Sequence, residues 1–171
     1  MVPTSKGGLF FALGFDVHPL VEGRKLYLGG VEIPYSKGAL GHSDGDVLLH
    51  SIIDASLSAG GLPDIGTLFP DTDPKYKDIR STKLLEEAIT LLKRKNFTYY
   101  QVDLTLVLDE PRISHYYQRI KAELSVLLGI PPERIGLKAR RSEGVIFQSE
   151  RPAIASFALV VLEKIHNDVT L

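Results

Sequence analysis

Apolar residues recur along the chain in two rhythms, and each change of rhythm marks an element. Residues 9–16 and 25–33 are apolar and partly β-branched or aromatic, with Pro19, Glu22 and Gly23 between them, which predicts two strands joined by a loop. Residues 35–41, with Gly38 and Gly41, form a second loop. Val47, Leu48, Ile52, Ala55 and Ala59 then fall on one helical face behind the capping side chains Ser43 and Asp44, predicting a helix over 44–58. Residues 60–76 are dense in proline, glycine and aspartate and predict a long loop of the kind that carries function. Leu84, Leu85, Ala88, Leu91 and Leu92 give a second helix over 81–95, capped by Ser81. Residues 102–108 alternate as a strand. Residues 115–128 form a third helix, stopped by Gly129 and the Pro131–Pro132 pair, and 135–141 and 153–163 are the last two strands.

Three helices and about five strands in mixed order, without regular βαβ units, predict an α+β fold with helices on one face of a mixed sheet. Residues 153–162 are apolar at nearly every position, so both faces of that strand are expected to be buried. The chain has helices for one side only, which predicts a homo-oligomer that packs sheet against sheet. At 171 residues, one domain over 9–171 is expected after a loose tail of residues 1–8.

Charge and composition then narrow the chemistry. Twenty basic residues nearly cancel 21 acidic ones, so no whole-molecule field draws nucleic acid or an anionic membrane. An anionic ligand must be met locally, by metals or by a few placed side chains. The absence of cysteine excludes disulfides, thiolate metal sites and cysteine nucleophiles. The apolar run from Leu9 to Leu13 is too short for a membrane span or a signal-peptide core, so a cytoplasmic location is expected by default; a trimmed plastid-type transit peptide would leave a similar sequence.

Asp16 and His18 are separated by one strand residue, so their side chains share a face. Alone the pair reads more readily as a polar strand end. His50, on the second turn of the first predicted helix, supplies a third ligand, and three ligands with an open fourth position is the count of a catalytic zinc site. His42, at the helix mouth, is placed to donate to a phosphate, or to cap the helix. Asp46 and Asp54 stand at four-residue steps from His42 and His50; either could orient a metal-bound imidazole, or simply solvate a helix face. In the 60–76 loop, Asp64-Ile65-Gly66 and Phe69-Pro70-Asp71-Thr72-Asp73 offer carboxylates and backbone amides beside an aromatic ring, or form plain turns. Near the C-terminus, Lys138 to Glu143 leaves a strand. If the strand persists, Arg141 and Glu143 share a face, either as an ion pair or as an arginine on phosphate and a carboxylate on a second metal.

These motifs together (Gly14-Phe15-Asp16-Val17-His18, His42-Ser43-Asp44-Gly45-Asp46 with His50, Asp64-Ile65-Gly66, and Leu68-Phe69-Pro70-Asp71-Thr72-Asp73) resemble the 2-C-methyl-D-erythritol 2,4-cyclodiphosphate synthase family from about residue 13 to 164. The resemblance implies a homotrimer with active sites between subunits, serving the non-mevalonate route to isoprenoid precursors. It implies Zn2+ or a similar divalent ion on Asp16, His18 and His50, and Mg2+ or Mn2+ on the substrate diphosphate with help from Glu143. Asp16, His18, His42 and Ser43 would face substrate; Asp64, Ile65, Gly66, Phe69, Pro70, Asp71, Thr72 and Asp73 would hold the methylerythritol part. Leu108, Arg112, Ala139, Arg140, Arg141, Ser142, Glu143 and Phe147 would enclose the cytidine diphosphate end. The implied reaction is attack of the 2-phosphate of 4-diphosphocytidyl-2-C-methyl-D-erythritol 2-phosphate on its β-phosphorus, with His42 and Arg141 in catalytic positions and loss of cytidine monophosphate.

The chain departs from that family at Arg140 and Arg141, where a threonine pair is usual. It departs also at Glu150, often arginine, and at the acidic Asp109-Glu110. Arg141 is expected either to reach the phosphates from further away or to pair with Glu143 and weaken the second metal. A relative that binds metal without cyclising, and a metal-dependent phosphohydrolase, are the alternatives.

Overall fold

The computed structural model describes residues 7–144 and 152–165. A five-stranded sheet runs in the order β4-β1-β7-β5-β6, built from β1 (Leu9–Glu22), β4 (Lys37–Ala39), β5 (Phe97–Val107), β6 (Ile135–Arg140) and β7 (Ala153–Lys164). Only β5 and β6 run parallel, with a helix crossing between them; the other pairs are antiparallel. The fold is α+β with a mixed sheet, as expected. Helices α1 (Val47–Ala59), α3 (Ser81–Arg94) and α4 (Tyr117–Leu128) carry their buried leucines, isoleucines and alanines into one core, which the inward positions of β5 and β7 complete.

The expected strand over 25–33 is two strands. β2 (Leu26–Leu28) and β3 (Val31–Ile33) form a hairpin that turns at Gly29 and Gly30, whose φ values of 60° and 85° suit glycine. Apolar residues on both sides of the turn hid it from the pattern. In the 60–76 segment the structure adds a four-residue helix, α2 (Ile65–Leu68), and a 3₁₀ turn at Pro74–Tyr76.

Two local features bring α1 over β1. Gly14 faces the helix, and a Cβ there would lie 2.1 Å from the Ser51 carbonyl oxygen, so only glycine lets the helix lie this close. Asp46, rather than Ser43 or Asp44, is the N-cap of α1: its carboxylate accepts the Leu49 N–H at 3.1 Å. The same carboxylate accepts the N–H groups of Gly29 and Gly30 at 2.9 and 2.7 Å. One buried side chain thus ties the hairpin turn to the helix start.

The second face of the sheet is divided. Leu9, Phe11, Leu13, Phe15 and Val17 on β1 stand outward beside Phe157 and Leu159 on β7, and all are exposed in the single chain. Alternation along β7 buries Ile154, Ala158, Val160 and Leu162 against the helices; on the other face Ala155 is buried too but Phe157 and Leu159 stay open, so in one chain that face is covered only in part. Towards β5 and β6 the outward face turns polar, where Lys138 pairs with Asp103 at 2.5 Å.

Candidate active site

β1 does not end at Asp16; it continues through Pro19 to Glu22, so Asp16 and His18 lie inside a strand whose period of two puts both on the helix side. α1 lays His50 over them. Asp16 Oδ2, His18 Nε2 and His50 Nδ1 form a triangle with edges of 3.0, 2.9 and 3.3 Å. Donors about 2.0–2.1 Å from a tetrahedral zinc stand roughly 3.3 Å apart, so the spacing suits an ion of that size. Among the described residues this is the one group of three able to hold a metal.

The ring nitrogens not in the triangle have partners of their own. The Leu40 carbonyl, 2.8 Å from His18 Nδ1, can only accept, so Nδ1 carries a proton and Nε2 is the nitrogen that would take a metal. His50 Nε2 lies between two hydroxyls, 2.9 Å from Ser81 Oγ and 3.0 Å from Ser43 Oγ. Neither Asp46 nor Asp54 orients the imidazole, because Asp46 is occupied by three backbone N–H groups and Asp54 makes no contact to either histidine. Burial pushes the Asp16 carboxyl up, but hydrogen bonds and charge from His18 and His50 outweigh it and hold the group well below the usual carboxylate range. Burial opposes charge on His18, yet Asp16 and the Leu40 carbonyl raise its affinity for a proton.

The triangle opens into a cavity of about 460 Å³. His42, Ser43, Ile65, Gly66, Phe69 and Asp71 line it, as do Tyr76, Ile79 and Leu84. The sequence did not single out these last three, whose apolar character matches that of core residues. His42 Nε2 is buried and has no hydrogen-bond partner among the described residues, so a ligand oxygen in the cavity would satisfy it. Asp64 and Asp73 direct a carboxylate oxygen to backbone instead, capping α2 at Thr67 N (2.8 Å) and the 3₁₀ turn at Lys75 N (2.9 Å). Pro70 and Thr72 do not line the cavity.

Ser81 was expected to cap its helix. The N-cap position of α3 is Arg80, which makes no capping bond, and the Ser81 hydroxyl turns to His50 and Asp44. A serine ahead of an apolar helix carries the same signature in either role.

A second cavity, about 370 Å³, lies at the end of β5 and β6. Leu108, Arg112, Ala139, Arg140 and Arg141 line it with Asp109 and Tyr117, whose hydroxyl accepts the Ala139 N–H at 2.8 Å. Asp109 accepts the Ser142 N–H at 2.9 Å and its hydroxyl at 2.5 Å, and these bonds, with Arg141 nearby, lower its pKa. The acidic residue therefore ties two loops together. β6 ends at Arg140, so the alternation expected through Glu143 stops, and Glu143 adopts a φ of 52°. Arg141 and Glu143 make no ion pair. Glu143 lies outside the metal-ligand triangle, and Phe147 and Glu150 fall outside the described residues.

Both cavities sit at one end of the sheet. Asp16 is level with Ser156, Ser156 with Leu106, and Leu106 with Ala139. Three strand spacings separate the two sites, about 14 Å.

The YgbB family model matches residues 9–163. A protein of Clostridium acetobutylicum named 2-C-methyl-D-erythritol 2,4-cyclodiphosphate synthase is 51% identical over 150 residues, covering 88% of this chain and 97% of its own length. A Caldicellulosiruptor bescii protein of the same name is 48% identical, covering 88% and 96%. A solved structure of such a synthase, described as a bound form with CDP, superposes with a TM-score of 0.83 at 42% identity, covering 90% of this chain and 99% of that one. The metal-ligand triangle, the cleft beside it and these likenesses agree, and the chain belongs to the YgbB family of 2-C-methyl-D-erythritol 2,4-cyclodiphosphate synthases.

Proposed function

We propose that the chain converts 4-diphosphocytidyl-2-C-methyl-D-erythritol 2-phosphate to 2-C-methyl-D-erythritol 2,4-cyclodiphosphate and cytidine monophosphate, a phosphorus-oxygen lyase reaction by type. The observation that carries this reading is the Asp16–His18–His50 triangle opening onto a cleft that His42 and Ser43 border. An oxygen of the 2-phosphate forms a bond to the β-phosphorus as the bond to the bridging oxygen breaks, and that oxygen leaves with the electron pair on cytidine monophosphate. A zinc ion on the triangle would supply positive charge to phosphoryl oxygens that otherwise repel. His42 donates from Nε2 to a phosphate oxygen, and Ser43 adds its hydroxyl. Ile65, Gly66 and Phe69 pack the carbon skeleton, holding it folded so that attack is intramolecular. A second ion, Mg2+ or Mn2+, on the diphosphate with Glu143 belongs to the same reading.

The second cavity fits the cytidine end, with Arg140 and Arg141 at the phosphates. Arg141 without an ion pair to Glu143 supports reach toward phosphate over internal pairing. The two sites lie at one level but three strands apart, too far to serve as one pocket within a chain. Three copies arranged around an axis lined by the apolar face of β1 and β7 would set the β1 edge of one copy beside the β6 edge of the next. The reading is therefore a homotrimer with active sites shared between neighbours. A related structure described with CDP supports the nucleotide assignment, and the bacterial relatives fit a cytoplasmic enzyme.

Phosphorus NMR of the protein with zinc, magnesium and the cytidine substrate tests this. Resonances of the cyclic diphosphate and cytidine monophosphate are expected, and lost in His50→Ala. Free phosphate, or no turnover by metal-loaded protein, would refute it.

A further inference from the structure

Two serine hydroxyls meet one imidazole nitrogen at nearly the same distance, and the surrounding bonds give them different parts. Ser81 is fully buried at the start of α3, and its hydroxyl hydrogen-bonds to Asp44 Oδ1. A carboxylate only accepts, so the Ser81 proton lies on the Asp44 side. The lone pairs of Ser81 Oγ are then what faces His50 Nε2 at 2.9 Å, and Nε2 must carry a proton. With a metal in the triangle Nδ1 gives it the lone pair; without one, the Asp16 carboxylate 2.9 Å away accepts a proton there. Asp44 cannot turn away easily: its Oδ2 accepts Arg80 Nε at 2.9 Å and the Ser81 N–H at 3.2 Å. Ser43 differs. Its oxygen already accepts the Gly45 N–H at 3.2 Å, and a protonated Nε2 cannot take its proton. That hydrogen turns towards Ser81 Oγ, 3.4 Å away, or into the cleft that Ser43 lines.

We propose that Ser81, held by Asp44, is a positioning residue that accepts the Nε2 proton of metal-bound His50 and sets the affinity of the triangle for metal, while Ser43 keeps its proton for the ligand. The proposal rests on the metal reading above. Partners of the outward ring nitrogen typically change metal affinity by about 10–100-fold when removed.

The test measures zinc affinity by competition with a chelating dye for the wild type, His50→Ala, Ser81→Ala, Asp44→Asn and Ser43→Ala. Ring ¹⁵N and ¹H spectra of His50 are recorded alongside in zinc-loaded protein, where Nδ1 is on the metal and the ring proton is on Nε2. Ser81→Ala is expected to weaken zinc by about 10–100-fold. Asp44→Asn keeps the volume and the fold but offers Ser81 an N–H in place of a lone pair, and a similar loss is expected. Ser43→Ala is expected to leave zinc affinity unchanged. The wild-type Nε2–H, held by Ser81, should exchange slowly with solvent, and exchange faster in Ser81→Ala and Asp44→Asn. Zinc binding lost in His50→Ala but untouched in Ser81→Ala and Asp44→Asn would overturn this proposal alone, as would an Nε2–H that exchanges at the same rate in the wild type and those two variants. A wild type that takes no zinc would overturn the metal reading and this proposal with it.

Discussion

His18 is held at both ring nitrogens, by the Leu40 carbonyl at Nδ1 and by the Asp16 carboxylate at Nε2. In metal-free protein Asp16 raises its proton affinity above the ordinary imidazole value of 6.5, and its own carboxyl falls below 3.8. A raised imidazole pKa stabilises the fold fully below 6.5 and loses that contribution as pH rises through the folded value. A lowered carboxyl pKa contributes above 3.8 and loses it as pH falls. Urea denaturation of metal-free wild type and His18→Asn should therefore show the largest wild-type advantage between those two values, narrowing above 6.5. With saturating zinc the trend reverses, because proton and metal compete for Nε2. A metal-free advantage that grows with pH would contradict the account. At this scale the sequence was informative where geometry is local: the strand period alone puts Asp16 and His18 on one face, and His50 follows from the helix. Ser81 was not legible, since its partners lie 31 and 37 residues away and its local pattern is that of a cap.

The elements that matter most are α1 and what fastens it. Asp46 caps the helix and also accepts two N–H groups of the β2–β3 turn. Replacing it with alanine removes a cap worth about 1 kcal/mol and leaves buried backbone donors at about 1–3 kcal/mol each. Asp46→Ala should thus lose on the order of 3 kcal/mol in urea denaturation, with weaker zinc binding as α1 loosens. A loss within about 0.5 kcal/mol, the range of an ordinary surface change, would show that the clasp is unimportant. The three main helices and four of the five sheet strands were legible from periodicity, with boundaries shifted; β4, at Lys37–Ala39, lies in the stretch that reads as a loop because of Gly38 and Gly41. The hairpin was not, because Gly29-Gly30 sits between apolar runs that look continuous, and neither was the extension of β1 past Pro19. Gly14 read as part of a motif; its physical role, the close approach of Ser51, exists only after the helix has packed.

Across the whole molecule the exposed row of Leu9, Phe11, Leu13, Phe15 and Val17 asks for a partner, and further copies of the chain satisfy it in the proposed trimer. Leu13→Asp, on a side chain 65% exposed in the single chain, should leave the fold and the metal triangle intact yet give monomers in sedimentation and no cyclisation. A trimeric Leu13→Asp would move the interface elsewhere. The expectation of a covered second face followed from the apolar run over 153–162, while the separation of the two cavities depends on strand order, which no single segment encodes. The most direct test of a site divided between neighbours mixes two inactive variants, His50→Ala and Arg141→Ala, after unfolding and refolding together, and measures cytidine monophosphate release. Random trimers join an intact triangle to an intact arginine cavity at about one interface in four, so activity should return to about a quarter of the wild-type level. Activity no higher than that of the separate variants, with mixed trimers confirmed by mass, would contradict it.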